Sequence, residues 1–120
     1  MAKMNQKLDR VDWANYFNEF TRRNQSRPTK LEVFGDAGAQ EEERGLPFAG
    51  ITIEQAEGTP RVEIMLGGGS GSRHLTHVVS NVHQITPKLG LDGRDEALEI
   101  IDANGETSLL RFEPQTMIAN

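Results

Sequence analysis

The sequence has no cysteine. That excludes disulfides, thiolate zinc sites and cysteine nucleophiles, and leaves the redox compartment open. Aromatic residues are scarce, with one Trp, one Tyr and five Phe in 120 residues, so each ring should matter to the core. No apolar run approaches the roughly 20 residues that cross a bilayer. The stretch Met1–Leu8 is polar and lacks the apolar centre of a signal peptide. A cytoplasmic location is therefore expected, with no membrane partner and with residues 1–8 as an extended or disordered tail.

Recognisable catalytic and phosphate-binding patterns are missing too. Gly67–Ser72 is glycine-rich, but a Walker A loop needs Gly-x4-Gly-Lys-Ser/Thr, and no Lys follows here. A dinucleotide fingerprint must open a helix, whereas His74–Val79 reads as strand. Ser70 has Gly68 two positions before it but Ser72 two positions after it, so the nucleophile-elbow pattern fails. Asn24-Gln25-Ser26 matches a glycosylation acceptor, which means nothing without a secretory signal. The run Glu41–Glu43 with Arg44 reads as a solvated loop.

What is present fits one domain over residues 1–120. At 13.3 kDa the chain should bury about two-thirds of its unfolded surface. Its mean hydropathy of −0.55 points to a modest core. The net charge of −5 is unevenly placed. Residues 1–30 hold seven Lys and Arg against three acids, and the remainder holds six against fifteen. An acidic body disfavours nucleic acid, because phosphate repels it. Arg22, Arg23, Arg27 and Lys30 are the only basis for a nucleic-acid reading. Arg22 and Arg23 suit the end of a helix, where positive charge offsets the dipole.

Trp13, Tyr16, Phe17 and Phe20 recur at i, i+3, i+4 and i+7, which predicts a helix from about Asp12 to Asn24 with an aromatic face. Asp12 is the expected N-cap. Val11 and Tyr16 would form a hydrophobic staple, and Asn24 would close the helix in the left-handed conformation. A helix this short needs a sheet to cover.

Strands are expected at 30–34, 48–53 and 61–66, then over a longer region from His74 to about Ile85 that Pro87 ends. Gly35–Gly45 is expected as a polar loop, Glu54–Pro60 as turn-rich and Gly67–Ser72 as a flexible break. Val62, Ile64 and Leu66 should face one side and Arg61, Glu63 and Met65 the other. The last unit is a hairpin. A two-residue Asn-Gly turn would put Arg111 on the apolar face. A three-residue loop, Ala103–Gly105, places Asp102 opposite Glu106 and gathers Leu98, Ile100, Leu110 and Phe112 on one face. Burial favours the three-residue loop. The order helix, then about six strands, predicts α+β: an N-terminal helix packed on a twisted, mainly antiparallel meander able to curl into a partial barrel.

The histidines lie close in sequence, but His74 and His77 should point to opposite faces of a strand. His77 and His83 would be roughly 20 Å apart in extended chain. No metal site and no cofactor are expected. Arg73, His74 and His77 are the candidates for the mouth of any ligand pocket between sheet and helix.

Asp12–Phe17, Leu46–Ile51, His74–His77 and the closing Ala97–Ile100…Asn104-Gly105…Leu109–Phe112 together resemble the domain-of-unknown-function family 5335. The resemblance implies a bacterial stand-alone domain and transfers no activity to any residue. The leading expectation is a non-enzymatic interaction or regulatory module that pairs with a protein or with a second copy of itself. The alternative is a small-molecule-binding or enzymatic domain.

Overall fold

A computed structural model describes residues 6–55, 58–68 and 73–114. A 3₁₀ turn, Arg10–Asp12, leads into α1, Trp13–Arg23. Seven strands follow: β1 Pro28–Gly35, β2 Gly38–Glu54, β3 Arg61–Gly67, β4 His74–Ser80, β5 Val82–Leu89, β6 Asp95–Asp102 and β7 Thr107–Phe112. They form one sheet in the order β4-β3-β2-β1-β7-β6-β5, and every pairing is antiparallel. The α+β expectation holds.

The two edge strands, β4 and β5, are separated in the chain by Asn81 alone. The sheet must curl for both of its edges to reach one corner. Asn81 makes that corner in the left-handed region, at φ 55°. Its carbonyl accepts from the Ala103 amide, and the Val82 amide donates to Pro60 O. The curl does not close into a barrel.

The helix lies on the inner face of the sheet. Trp13, Phe17 and Phe20 are buried against Leu31, Phe48, Ile64, Leu98, Leu110 and Phe112. The rings of Phe20, Phe48 and Phe112 meet pairwise at 5.4–5.8 Å between centroids. Thr21 fastens α1 to β2, its hydroxyl accepting from the Ile51 amide at 3.1 Å and donating to Ile51 O at 3.3 Å. Gly50 faces Thr21 across this contact, where a Cβ would lie at ordinary van der Waals distance, 3.5 Å, from Thr21 Cγ2.

The last hairpin has the three-residue loop. Leu98 lies opposite Leu110 and Ile100 opposite Ser108. Asp102 Oδ1 accepts from the amides of Asn104 and Glu106, and Gly105 takes φ 84°. Leu98, Ile100, Leu110 and Phe112 are all buried, as are Val62, Ile64 and Leu66 of β3.

Several local expectations fail. Asp12 makes no capping bond, because the 3₁₀ turn already holds it in a helical conformation. Val11 is 88 % exposed, so the staple does not form. Leu8 packs on the core instead: its amide donates to Ile85 O and its carbonyl accepts from Trp13 Nε1. Asn24 is not left-handed, at φ −118°; Ser26 takes that role at φ 69°.

The polar stretch 38–45 is strand rather than loop. It is the outer half of the 17-residue β2, paired along β1, and only Gly35–Gly38 turns. Backbone pairing holds it without an apolar stripe. The expected long strand from His74 to Ile85 is two strands, broken at Asn81. Pro87 sits inside β5 opposite Leu98; β5 is an edge strand, where a missing N–H costs no ladder bond. Of the Gly67–Ser72 break, residues 69–72 lie outside the described residues, as do 56–57 of the turn-rich stretch and 1–5 of the tail.

Candidate functional site: the charged outer face of the sheet

The three sequence candidates do not come together. Arg73 precedes β4, and its guanidinium pairs with Glu43 at 2.6 Å. His74 is exposed at the start of β4, opposite Gly67. His77 points inward, half-buried, with Nε2 2.9 Å from the Ser108 hydroxyl. Burial holds its imidazole below the usual histidine range, against the pull of Glu42 and Glu106. Among the described residues, no three His, Asp or Glu side chains converge as a metal site would require.

A cavity of about 350 Å³ does lie between helix and sheet, but its walls are Leu8, Tyr16, Arg23, Pro87, Leu89 and Asp95 together with Gln6 and Gly93. Asp95 is its polar centre. Its carboxylate accepts from Arg23 Nε at 2.9 Å, Arg23 Nη2 at 3.0 Å and Asn24 Nδ2 at 2.8 Å. Asn24 also donates to Phe20 O and accepts from Arg27. This network ties the end of α1 to the start of β6, which makes it a structural clasp. The Tyr16 hydroxyl beside it is buried, close to Arg23 but without a hydrogen bond of good geometry. Burial, aided by Asp95, keeps that phenol protonated despite Arg23.

The more unusual arrangement is on the outer face. Lys30 of β1 lies opposite Arg44 of β2 on one side and Arg111 of β7 on the other. Arg111 lies opposite Ala97, and Ala97 opposite Lys88. Arg44, Lys30, Arg111 and Lys88 thus form a cationic row across five strands, with Ala97 between the last two. The next row is acidic: Glu41 opposite Glu32, Glu32 opposite Leu109, and Leu109 opposite Glu99.

Like charges directly opposite one another weaken a sheet. The rows are held by bonds between them: Lys30 to Glu32 at 3.5 Å and to Glu41 at 3.8 Å, Arg111 to Glu32 at 3.4 Å and Arg44 to Glu41 at 2.9 Å. The Arg44 hydrogen bond holds the Glu41 carboxyl below the usual range. A β-bulge sets the β2 side: Leu31 pairs with Glu43 but Glu32 with Glu41, so Glu42 is skipped and Arg44 and Glu41 share the face.

A groove of about 830 Å³ opens over this face. Lys30, Glu32, Arg44 and Arg111 line it, and the Gly90–Glu96 segment contributes Asp92, Arg94 and Glu96. Arg27 closes one end, stacked 4.2 Å over Phe112 and donating to Asp95 O. Burial and the like charge of Arg94 lower its pKa. At the tip of the adjoining loop, Leu91 is fully exposed. The basic residues that suggested nucleic acid are engaged within the molecule: Arg22 with Glu19, Arg23 with Asp95, Arg27 on Phe112 and Lys30 with Glu32.

Fold and surface together define a small α+β domain with one helix inside a curled antiparallel sheet and charge ordered in rows outside it. The chain belongs to a family of unknown function, DUF5335, whose profile matches residues 4–119. No curated protein and no solved structure matches it. Among the described residues, no helix is long and apolar enough to cross a membrane.

The sequence candidates missed this face because its rows exist only across strands. The one local trace is the alternation Lys30-Leu31-Glu32, which puts opposite charges two apart on one side of β1.

Proposed function

We propose that this domain is a non-enzymatic protein-interaction module whose working surface is the outer face of β2, β1, β7 and β6. The observation that carries the reading is the segregation of charge into same-sign rows. A face that merely keeps a sheet wet gains from opposite charges across each pair of strands. Here Lys30–Arg44, Lys30–Arg111 and Glu32–Glu41 are all like pairs. The arrangement costs the fold something and presents a patterned field to a partner, which favours specificity and encounter rate. The proposal keeps the bacterial, cytoplasmic setting expected from the sequence.

Site-specific photo-crosslinking tests it. A photoreactive residue at Glu99 or Arg44 should give adducts of discrete mass in cells. The same group at Asn18, exposed on α1, should give none. Adducts only from α1, or from neither surface, contradict the reading.

A further inference from the structure

We infer that the partner met by this face is a second copy of the same chain, paired about a two-fold axis. This inference rests on the interaction reading above. The axis would run parallel to the charged rows and lie midway between them, in the plane of contact. A half-turn about that line carries the cationic row of one copy onto the acidic row of the other. Strand positions along the rows are unchanged by the rotation. Lys30 of one copy then faces Glu32 of the other, and Arg44 faces Glu41. Arg111 falls between Glu32 and Glu99. Each contact occurs twice, as an isologous interface requires.

Charge complementarity selects this occupant over others. Four cations in one row and three carboxylates in the next leave the face nearly neutral, so a strongly acidic or basic partner gains little from it. A copy of the face turned over matches both rows at once. The partial exposure of Arg44, Glu41 and Arg111, at 57 %, 43 % and 53 %, leaves each able to make a second ion pair beyond its own neighbour, while Lys30 and Glu32, at 25 % and 18 %, are largely covered and contribute less. With strands about 4.8 Å apart and rows about 6.6 Å apart, four strands and two rows cover roughly 250 Å² per copy. A total of roughly 500 Å² lies well below a stable interface and belongs to weak, transient contacts. The dimer should therefore be salt-sensitive and favoured by concentration.

Sedimentation velocity on the full chain and on charge-reversed variants decides the matter. At about 20 mM salt the wild type should dimerise reversibly. At about 500 mM, where the screening length is only a few ångströms, it should be monomeric. Arg44→Glu with Arg111→Glu neutralises the cationic row and sets acids against the acidic row of the other copy, and Glu41→Lys with Glu99→Lys makes both rows basic on balance. Each double variant should be monomeric alone, and an equimolar mixture should form a heterodimer at least as tight as the wild-type pair. Rescue on mixing also shows that both variants fold. Arg44→Gln with Arg111→Gln should weaken dimerisation by about tenfold, since each lost charge counts twice.

A wild type that stays monomeric at low salt, or a mixture that fails to associate, overturns the inference. If the outer-face crosslinks then carry the mass of a different protein, the interaction reading stands while self-pairing falls. If no crosslinks form, both fall.

Discussion

Lys30 stands directly opposite Arg111 across β1 and β7, cation against cation, and is tied instead to Glu32 two residues along its own strand. The double exchange Lys30→Glu with Glu32→Lys keeps composition and net charge but turns the rows into a checkerboard. It puts an acid between Arg44 and Arg111 and a cation opposite Glu41. Urea unfolding at low salt should show a gain of roughly 0.5 kcal/mol, because directly opposite charges lie closer than diagonal ones. A loss of stability would mean that the native pattern serves the fold.

The Asp95 clasp is a separate matter. Its carboxylate is 6 % exposed and takes three hydrogen bonds from Arg23 and Asn24. Asp95→Ala should cost about 1–2 kcal/mol, since the buried Asn24 amide loses an acceptor while the half-exposed Arg23 regains water. The loss should be largest in the amide protection of the α1 C-terminus, measured by hydrogen exchange.

Tyr16→Phe should stabilise. The hydroxyl it removes is buried, and the Arg23 guanidinium beside it, already bound to Asp95, compensates only part of its desolvation. A gain of about 1 kcal/mol in thermal or urea unfolding is expected, with the ring contacts to Phe17 and Phe20 retained. No gain would indicate that Arg23 or water satisfies the oxygen in solution.

His77 should make stability fall on acidification. Its folded pKa lies below the ordinary histidine value of 6.5, because burial disfavours the imidazolium. The unfolded chain therefore binds more protons, and the contribution is complete above that value. It is lost as the pH falls through 6.5 and on through the lower folded pKa. His77→Gln should abolish that step of a melting-temperature profile between about pH 7.5 and 5. A variant that keeps the step would place its origin elsewhere.

Much of the fold was legible wherever burial imposed a period. The aromatic stripe of α1 and the alternation of β3 each fixed a face. The β6–β7 register followed from burial too, since a one-residue slip would have put Arg111 on the face of Leu98. The outer half of β2 carried no such mark. Residues 38–45 are almost all exposed, and the backbone ladder that holds them leaves no trace in side-chain type. Asn81 was equally silent: one left-handed residue in a Val-rich stretch divides a strand in two and sets the curl of the sheet. The charged rows were out of reach for a different reason. They need the β1–β7 pairing, which joins opposite ends of the chain, and a bulge at Glu42 that shifts β2 by one residue.

The most direct measurement is a series of amide NMR spectra over increasing protein concentration at low salt. Concentration-dependent shifts should gather on Lys30, Glu32, Glu41, Arg44, Glu99 and Arg111, leave the exposed side of α1 unmoved, and vanish at high salt. Spectra that do not change with concentration, or changes centred on α1, would contradict a domain that meets its own copy through the rows of charge on its sheet.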